Sequence, residues 1–190
     1  MDTTVLASWR ELAGWLDAWF EPDQAGRARF EDRESEVFGW LSQEWRSSED
    51  KLGALEAASE RFGRQRVIGV VRCLCAWNVS QEWRERCAKA PLSLDDLLRL
   101  VWGSLPELGF EFTMVREARS AQMRCTRCPH ADLAVQLEVA GYAHAREWLY
   151  ELICSTDLYV SVAFDPPISF SRTRTLMQGD DCCDHTYTLE

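Results

Sequence analysis

Apolar residues recur at a helical spacing up to about Trp102 and at a spacing of two from about Phe110, with the break at "GSLPELG", Gly103 to Gly109. A helix buries one stripe of side chains and a strand buries every second one, so a change of period midway predicts helices followed by a sheet. In the first half Val5, Trp9, Leu12, Leu16 and Trp19 form one stripe, ended near "EPDQAG" by Pro22 and Gly26. A second helix carries Phe30, Val37, Phe38, Leu41 and Trp45. A third runs from about Glu49 through Leu52, Leu55, Ala58 and Phe62, and its pattern extends past Gly63 through Val67, Val70, Val71 and Leu74. Ser80 and Ser93 are placed to cap helix starts, the second with Asp96 three residues on, as in a capping box.

In the second half, Phe110, Phe112 and Met114, then Ala121, Met123 and Cys125, alternate as the arms of a hairpin around "REARS". A helix from Pro129 carries Leu133, Leu137 and Ala140 and ends at Gly141; the next carries Ala145, Trp148, Leu149, Leu152 and Ile153 and ends at Cys154. "LYVSVAF" alternates as a strand before "DPP", another strand runs from Ile168 through "SRTRTL", and a last one after "QGDD" puts Cys183, His185, Tyr187 and Leu189 on one face. The expectation is an α+β fold: a helical N-terminal half rich in tryptophan (1–104), then an antiparallel sheet of about four to five strands with two inserted helices (105–190), together one compact domain.

Composition limits what such a fold does. At 46% hydrophobic and 27% charged residues the chain is that of an ordinary globular protein. Eight of the nine tryptophans lie in the helical half, which suits helix packing or an apolar pocket. A net charge of -10 repels phosphate backbones and anionic membrane surfaces, so neither nucleic acid nor membrane is expected as a partner. No apolar run approaches the about 20 residues that span a bilayer, and the acidic start lacks a signal-peptide pattern, which points to the cytoplasm. There the eight cysteines are expected as thiols, metal ligands or catalytic groups rather than disulfides.

Cys128 precedes Pro129, and proline favours the first helical position, so Cys128 is placed as the N-cap. There the helix dipole and unpaired N–H groups favour a thiolate, while a small buried apolar cysteine is the alternative. Cys125 and Cys128 make a C-x-x-C, but the adjacent Cys182 and Cys183 are a poor second pair for zinc, and no βαβ unit supports a thioredoxin-like motif. His130 lies close enough in sequence for a cysteine-histidine relay. Asp157 suits an acid or a base, or merely a turn, and Asp180, Asp181 and Asp184 suit a metal or a substrate amine, or merely a solvated turn. Arg172 and Arg174, alternate residues of a strand, suit a substrate carboxylate or merely a solvated face.

The succession "CPHADLAVQLE", then "LICSTDLYVSVAFDPPISFSRTRTLMQGDDCCDHTYTL", resembles the L-2-amino-thiazoline-4-carboxylic acid hydrolase family over roughly residues 105 to 190. The matching positions are Cys128 and Pro129; Cys154 and Asp157; Phe164 and Pro166; Arg172, Thr173, Arg174, Thr175 and Leu176; and Gly179, Asp180, Cys183 and Asp184, with His185 where the family's pattern suggests an aromatic. The closing G-x-x-x-C-D also resembles the end of 4-vinyl reductase domains, small α+β ligand-binding modules. The resemblance selects Cys128, Cys154 and Cys183 from the eight cysteines and leaves Cys125 and Cys182 accessory. It implies a hydrolase that opens a cyclic amidine or thiazoline ring at a cyclic C–N bond of a small-molecule substrate, with Cys128 as the attacking thiolate or the group that positions water; a tailoring role on another small heterocycle, no cofactor and a homodimer are further expectations. The implied catalytic residues are Cys128, Cys154, Asp157, Asp181 and Cys183, with Arg172, Arg174, His130 and His185 binding substrate. Two other readings stand beside it: a sensor or accessory protein in which Cys128, Cys154 and Cys183 hold zinc or an iron-sulfur cluster or line a ligand pocket, and a structural domain with buried cysteines.

Overall fold

The computed structural model describes residues 3–21, 30 and 32–190. Its first part is a set of helices: α1 (Thr3–Leu16), α2 (Asp32–Ser47), α3 (Lys51–Phe62), α4 (Arg64–Lys89) and α5 (Leu94–Trp102). Trp9, Leu16 and Trp19 are buried, as the α1 stripe requires, while Trp15 faces out. The Val5 side chain, Pro22 and Gly26 lie outside the described residues. Val37, Phe38, Leu41 and Trp45 form the buried face of α2, and Trp45 stacks on Phe20 at 4.0 Å while its indole N–H donates to Asp17 at 2.8 Å. That bond lets a large aromatic be buried without stranding its one donor.

Gly63 separates α3 from α4 because its φ of +87° is outside the helical region, so the pattern that extends past it belongs to a new helix. α4 is unbroken for 26 residues, and Ser80 is buried within it rather than capping a helix start; a polar residue with a helical neighbourhood on both sides has no unpaired N–H groups to cap. Ser93 does cap α5, in a capping box with Asp96.

The sheet has four strands, β1 (Glu111–Arg116), β2 (Ser120–Arg127), β3 (Ile168–Arg172) and β4 (Cys183–Leu189), in the order β1-β2-β4-β3 with antiparallel neighbours. Between β2 and β3 run α6 (Pro129–Val139), α7 (Ala145–Leu152) and the short α8 (Asp157–Val160), flanked by 3₁₀ turns at Cys154–Thr156 and Ser161–Ala163. "LYVSVAF" is thus helical, not a strand. Its alternation hides two pairs spaced by four: Val160 and Phe164 are buried, Leu158 and Val162 exposed, which is also what two sides of a helical run look like. Phe164 lies against Trp83 of α4 at 5.7 Å. β3 likewise ends at Arg172 instead of running through Leu176, because Asp184 accepts the N–H groups of Thr173 and Arg174 and draws the chain out of the sheet.

The inner face of the sheet carries Ala121, Met123 and Cys125 from β2 opposite Tyr187, His185 and Cys183 from β4. Polar side-chain contacts, among them those of Arg72, Trp148 and Trp102, fasten the helices to this half. Arg72 of α4 holds the buried Glu151 of α7 in a bidentate pair, donating from Nε at 2.9 Å and from Nη2. The Trp148 and Trp102 indole N–H groups donate to Glu56 and to the Tyr187 hydroxyl, each at 3.3 Å. Among the described residues no helix is long and apolar enough to cross a membrane.

Candidate functional site

Residues 172–184 fold around two carboxylates. Asp184 accepts the Thr173 N–H at 2.8 Å, the Thr173 hydroxyl at 2.5 Å and the Arg174 N–H at 2.6 Å, and Asp180 accepts the Thr175 N–H at 2.8 Å. The loop held in this way directs the Leu176 N–H at the Cys183 sulfur, 3.3 Å away, and sets the Thr175 hydroxyl 3.6 Å from it. The Thr175 oxygen accepts the Met177 N–H at 3.3 Å and has a second lone pair for the Cys183 thiol, while its own hydrogen can be given to the sulfur when that is ionised.

Cys125, the register partner of Cys183 on β2, completes the surroundings. Hydrogen bonding from Cys125 lowers the Cys183 pKa; burial opposes this, and the Leu176 N–H, the Thr175 hydroxyl and the proximity of His185 add to the lowering. The same pairing, with burial, raises Cys125, whose thiol donates to the Arg127 carbonyl at 3.0 Å.

Cys128 is the N-cap of α6, with Pro129 in the first helical position as expected. The expected lowering of its pKa is reversed. Burial pushes the thiol up to about 11, and the Ala131 and His130 N–H groups, which do favour the thiolate, only reduce that rise. A helix N-terminus activates a thiol only where solvent or countercharge offsets its desolvation. Burial also raises Cys154, and the negative charge of Asp157 adds to this. Cys128, Cys154 and Cys183 nonetheless lie within electrostatic reach of one another, so the fold brings together the three positions that the family motif selects.

Beside the thiols is a buried polar cluster. The Arg172 side chain, 5% exposed, donates to Asp157 at 2.8 Å and to the Cys154 carbonyl at 3.0 Å, and its guanidinium lies over the rings of Tyr150 and Phe170. His185 Nε2 lies 3.2 Å from the same Asp157 oxygen. Arg172 is therefore committed to Asp157, whereas Arg174, beyond the strand end, is half-exposed and pairs with Asp181 and Asp184. The alternation that put the two arginines on one face ends with β3. Asp181 is 63% exposed, between Arg124 and Arg174, and stands outside the buried cluster. The His130 ring packs edge-on against Phe110 at 5.3 Å, so its backbone N–H rather than its imidazole serves Cys128; burial lowers its pKa.

Two clefts border this region. One, of about 530 Å³, is lined by Trp15, Phe110, Pro129, His130 and Leu133, next to Cys128. The other, of about 330 Å³, lies between α5 and the sheet, and its wall Trp102 touches the His185 ring at 4.8 Å. Among the described residues no group of three or more His, Cys, Asp and Glu side chains is placed to hold a metal ion.

Reading the motif alone missed Cys125 and Thr175 as groups set around the Cys183 sulfur. The i, i+2 relation of Cys183 and His185 was visible, but the strand opposite them was not.

Fold and site define an α+β protein with a buried cysteine, Cys183, beside an arginine-aspartate-histidine cluster. The chain belongs to the L-2-amino-thiazoline-4-carboxylic acid hydrolase family, whose sequence model matches residues 52–187. The match begins in α3, so the family region takes in α3 to α5 as well as the 105–190 segment that carries the motifs. No curated protein and no solved structure matches the chain.

Proposed function

We propose that this protein hydrolyses a small cyclic amidine of the thiazoline type, with Cys183 as the nucleophile. The Cys183 sulfur adds to the ring carbon between nitrogen and sulfur while the ring nitrogen takes a proton from the cluster around Asp157. The ring carbon–sulfur bond then breaks, the ring sulfur leaves as a thiol, and an isothiourea remains on Cys183. Water adds to that carbon and expels the cysteine sulfur, so one water is consumed and the former ring carbon becomes a carbamoyl group. In a cyclic amidine without sulfur the same sequence breaks the ring C–N bond. A tailoring step in biosynthesis is the setting this chemistry suits.

The observation that carries the reading is the setting of Cys183: the Leu176 N–H points at its sulfur from 3.3 Å and the Thr175 hydroxyl lies 3.6 Å away, both favouring the thiolate, whereas burial raises Cys128 and Cys154. A thiolate, not a thiol, is the nucleophile in such additions. In this reading Cys128 and Cys154 line the site, the cluster of Arg172, Asp157 and His185 supplies the proton transfer, and both halves of the chain work as one compact domain.

The test is incubation with L-2-amino-thiazoline-4-carboxylate, following the carbamoyl product by mass spectrometry. Wild-type protein is expected to consume the substrate and Cys183→Ala to lose the activity. A Cys183→Ala variant with the wild-type rate, or a wild-type protein inert toward this and other cyclic amidines, would sink the reading.

A further inference from the structure

His185 is 5% exposed, yet its Nδ1 has no hydrogen-bond partner, which is rare for a buried ring nitrogen. Its other nitrogen is fully defined. The Asp157 carboxylate oxygen can only accept, and it takes the Arg172 guanidinium at 2.8 Å and His185 Nε2–H at 3.2 Å. The 3.4 Å approach of Arg172 to Nε2 is then two donors converging on one acceptor. With the proton fixed on Nε2, Nδ1 presents a lone pair to the interior, and Arg172 holds in place the carboxylate that fixes it.

Cys183 and His185 stand two residues apart on the same face of β4. At the strand rise of about 3.3 Å per residue their Cα atoms are about 7 Å apart. No hydrogen bond joins Nδ1 to the sulfur. The sulfur and Nδ1 thus share one face of the strand without a bond between them, the relation of a nucleophile and an acid-base group that act on one reacting atom.

Resting on the hydrolase reading above, we infer that Cys183, His185 and Asp157 form a nucleophile, acid-base and orienting set, in which His185 Nδ1 moves the protons and Asp157, held by Arg172, is a positioning residue. In ring opening, Nδ1 takes up a proton from solvent as the substrate enters and gives it to the departing ring atom. In the second step neutral Nδ1 takes a proton from the attacking water as the Cys183 sulfur leaves.

The set can be tested without a thiazoline. p-Nitrophenyl acetate acylates a thiolate, releasing p-nitrophenolate and leaving an acetyl thioester; water activated at Nδ1 then releases acetate and restores the thiol. Wild-type protein is expected to show a rapid burst followed by steady turnover. His185→Gln keeps an amide N–H for Asp157 but has no base at Nδ1, so the burst is expected to remain while the steady rate falls about 10²-fold or more. Asp157→Asn is expected to lower the steady rate with the burst intact, and Cys183→Ala to lose the burst. Near-UV circular dichroism checks the fold of each variant, and should one of the His185 and Asp157 variants not fold, the other carries the test. Wild-type steady turnover in both folded variants, no wild-type burst, or a full burst in Cys183→Ala would overturn the inference. Turnover of the ester with the expected variant pattern but none of any thiazoline would overturn the substrate assignment alone.

Discussion

Asp184 ties the C-D motif to the thiolate, and its ionisation can be followed in stability. Burial pushes its pKa upward, but bonds from the Thr173 hydroxyl and from the Arg174 and Thr173 N–H groups outweigh this and take it from the usual 3.8 down to about 2. A shift of that size corresponds to roughly 2.5 kcal/mol at most, and because the side chain is 32% exposed, solvent screening reduces this to about 1–1.5 kcal/mol. The carboxyl is depressed in the folded state, so its stabilisation is present above its usual pKa and is lost as pH falls through about 2. Asp184→Asn keeps the shape but not the charge. Its Tm is expected to lie about 2–6 °C below wild type at pH 7, and about half of that gap to have closed by pH 3. Thermal unfolding of both proteins at pH 7, 4 and 3 reads this directly. Equal Tm values at pH 7, or a gap of the same size at pH 3, would refute the assignment of the charge to this loop.

Thr175→Val preserves volume while removing the hydroxyl that faces Cys183. Its alkylation profile is expected to shift to higher pH by about one unit, and an unchanged midpoint would contradict the role given to Thr175. Ser93→Ala removes the cap of α5 and is expected to cost about 1 kcal/mol in urea unfolding without altering turnover; a loss of turnover with stability intact would be inconsistent. Trp148→Ala empties a fully buried site between α7 and α3 and is expected to cost about 3–5 kcal/mol by the same assay, whereas a cost below about 1 kcal/mol would show that the core does not depend on it.

What was legible in the sequence was local. The Ser93 capping box, the Pro129 helix start behind Cys128 and the shared face of Cys183, His185 and Tyr187 follow from spacing within one element. "LYVSVAF" was misread because residues spaced by two contain pairs spaced by four, and only packing against α4 decides between a strand and a helical turn. The thiol chemistry was not legible at Cys128, since the dipole can be read from the helix start but the desolvation that outweighs it comes from chain far away. Cys125 was set aside because its motif spacing is weak. Its role depends on β4 inserting between β2 and β3, which brings together residues 58 positions apart. Arg172 and Arg174 parted for a related reason: the alternation is real up to Arg172, and Asp184 ends it.

The central claim is that chemistry passes through the sulfur of Cys183. It is tested most directly by quenching the protein in acid during turnover of L-2-amino-thiazoline-4-carboxylate and mapping the modified peptide by mass spectrometry. An adduct with the full mass of the substrate on Cys183, absent from Cys183→Ala, is the predicted result. Turnover with no adduct on any cysteine under conditions that trap it, or an adduct on Cys128 with Cys183 unmodified, would contradict the account.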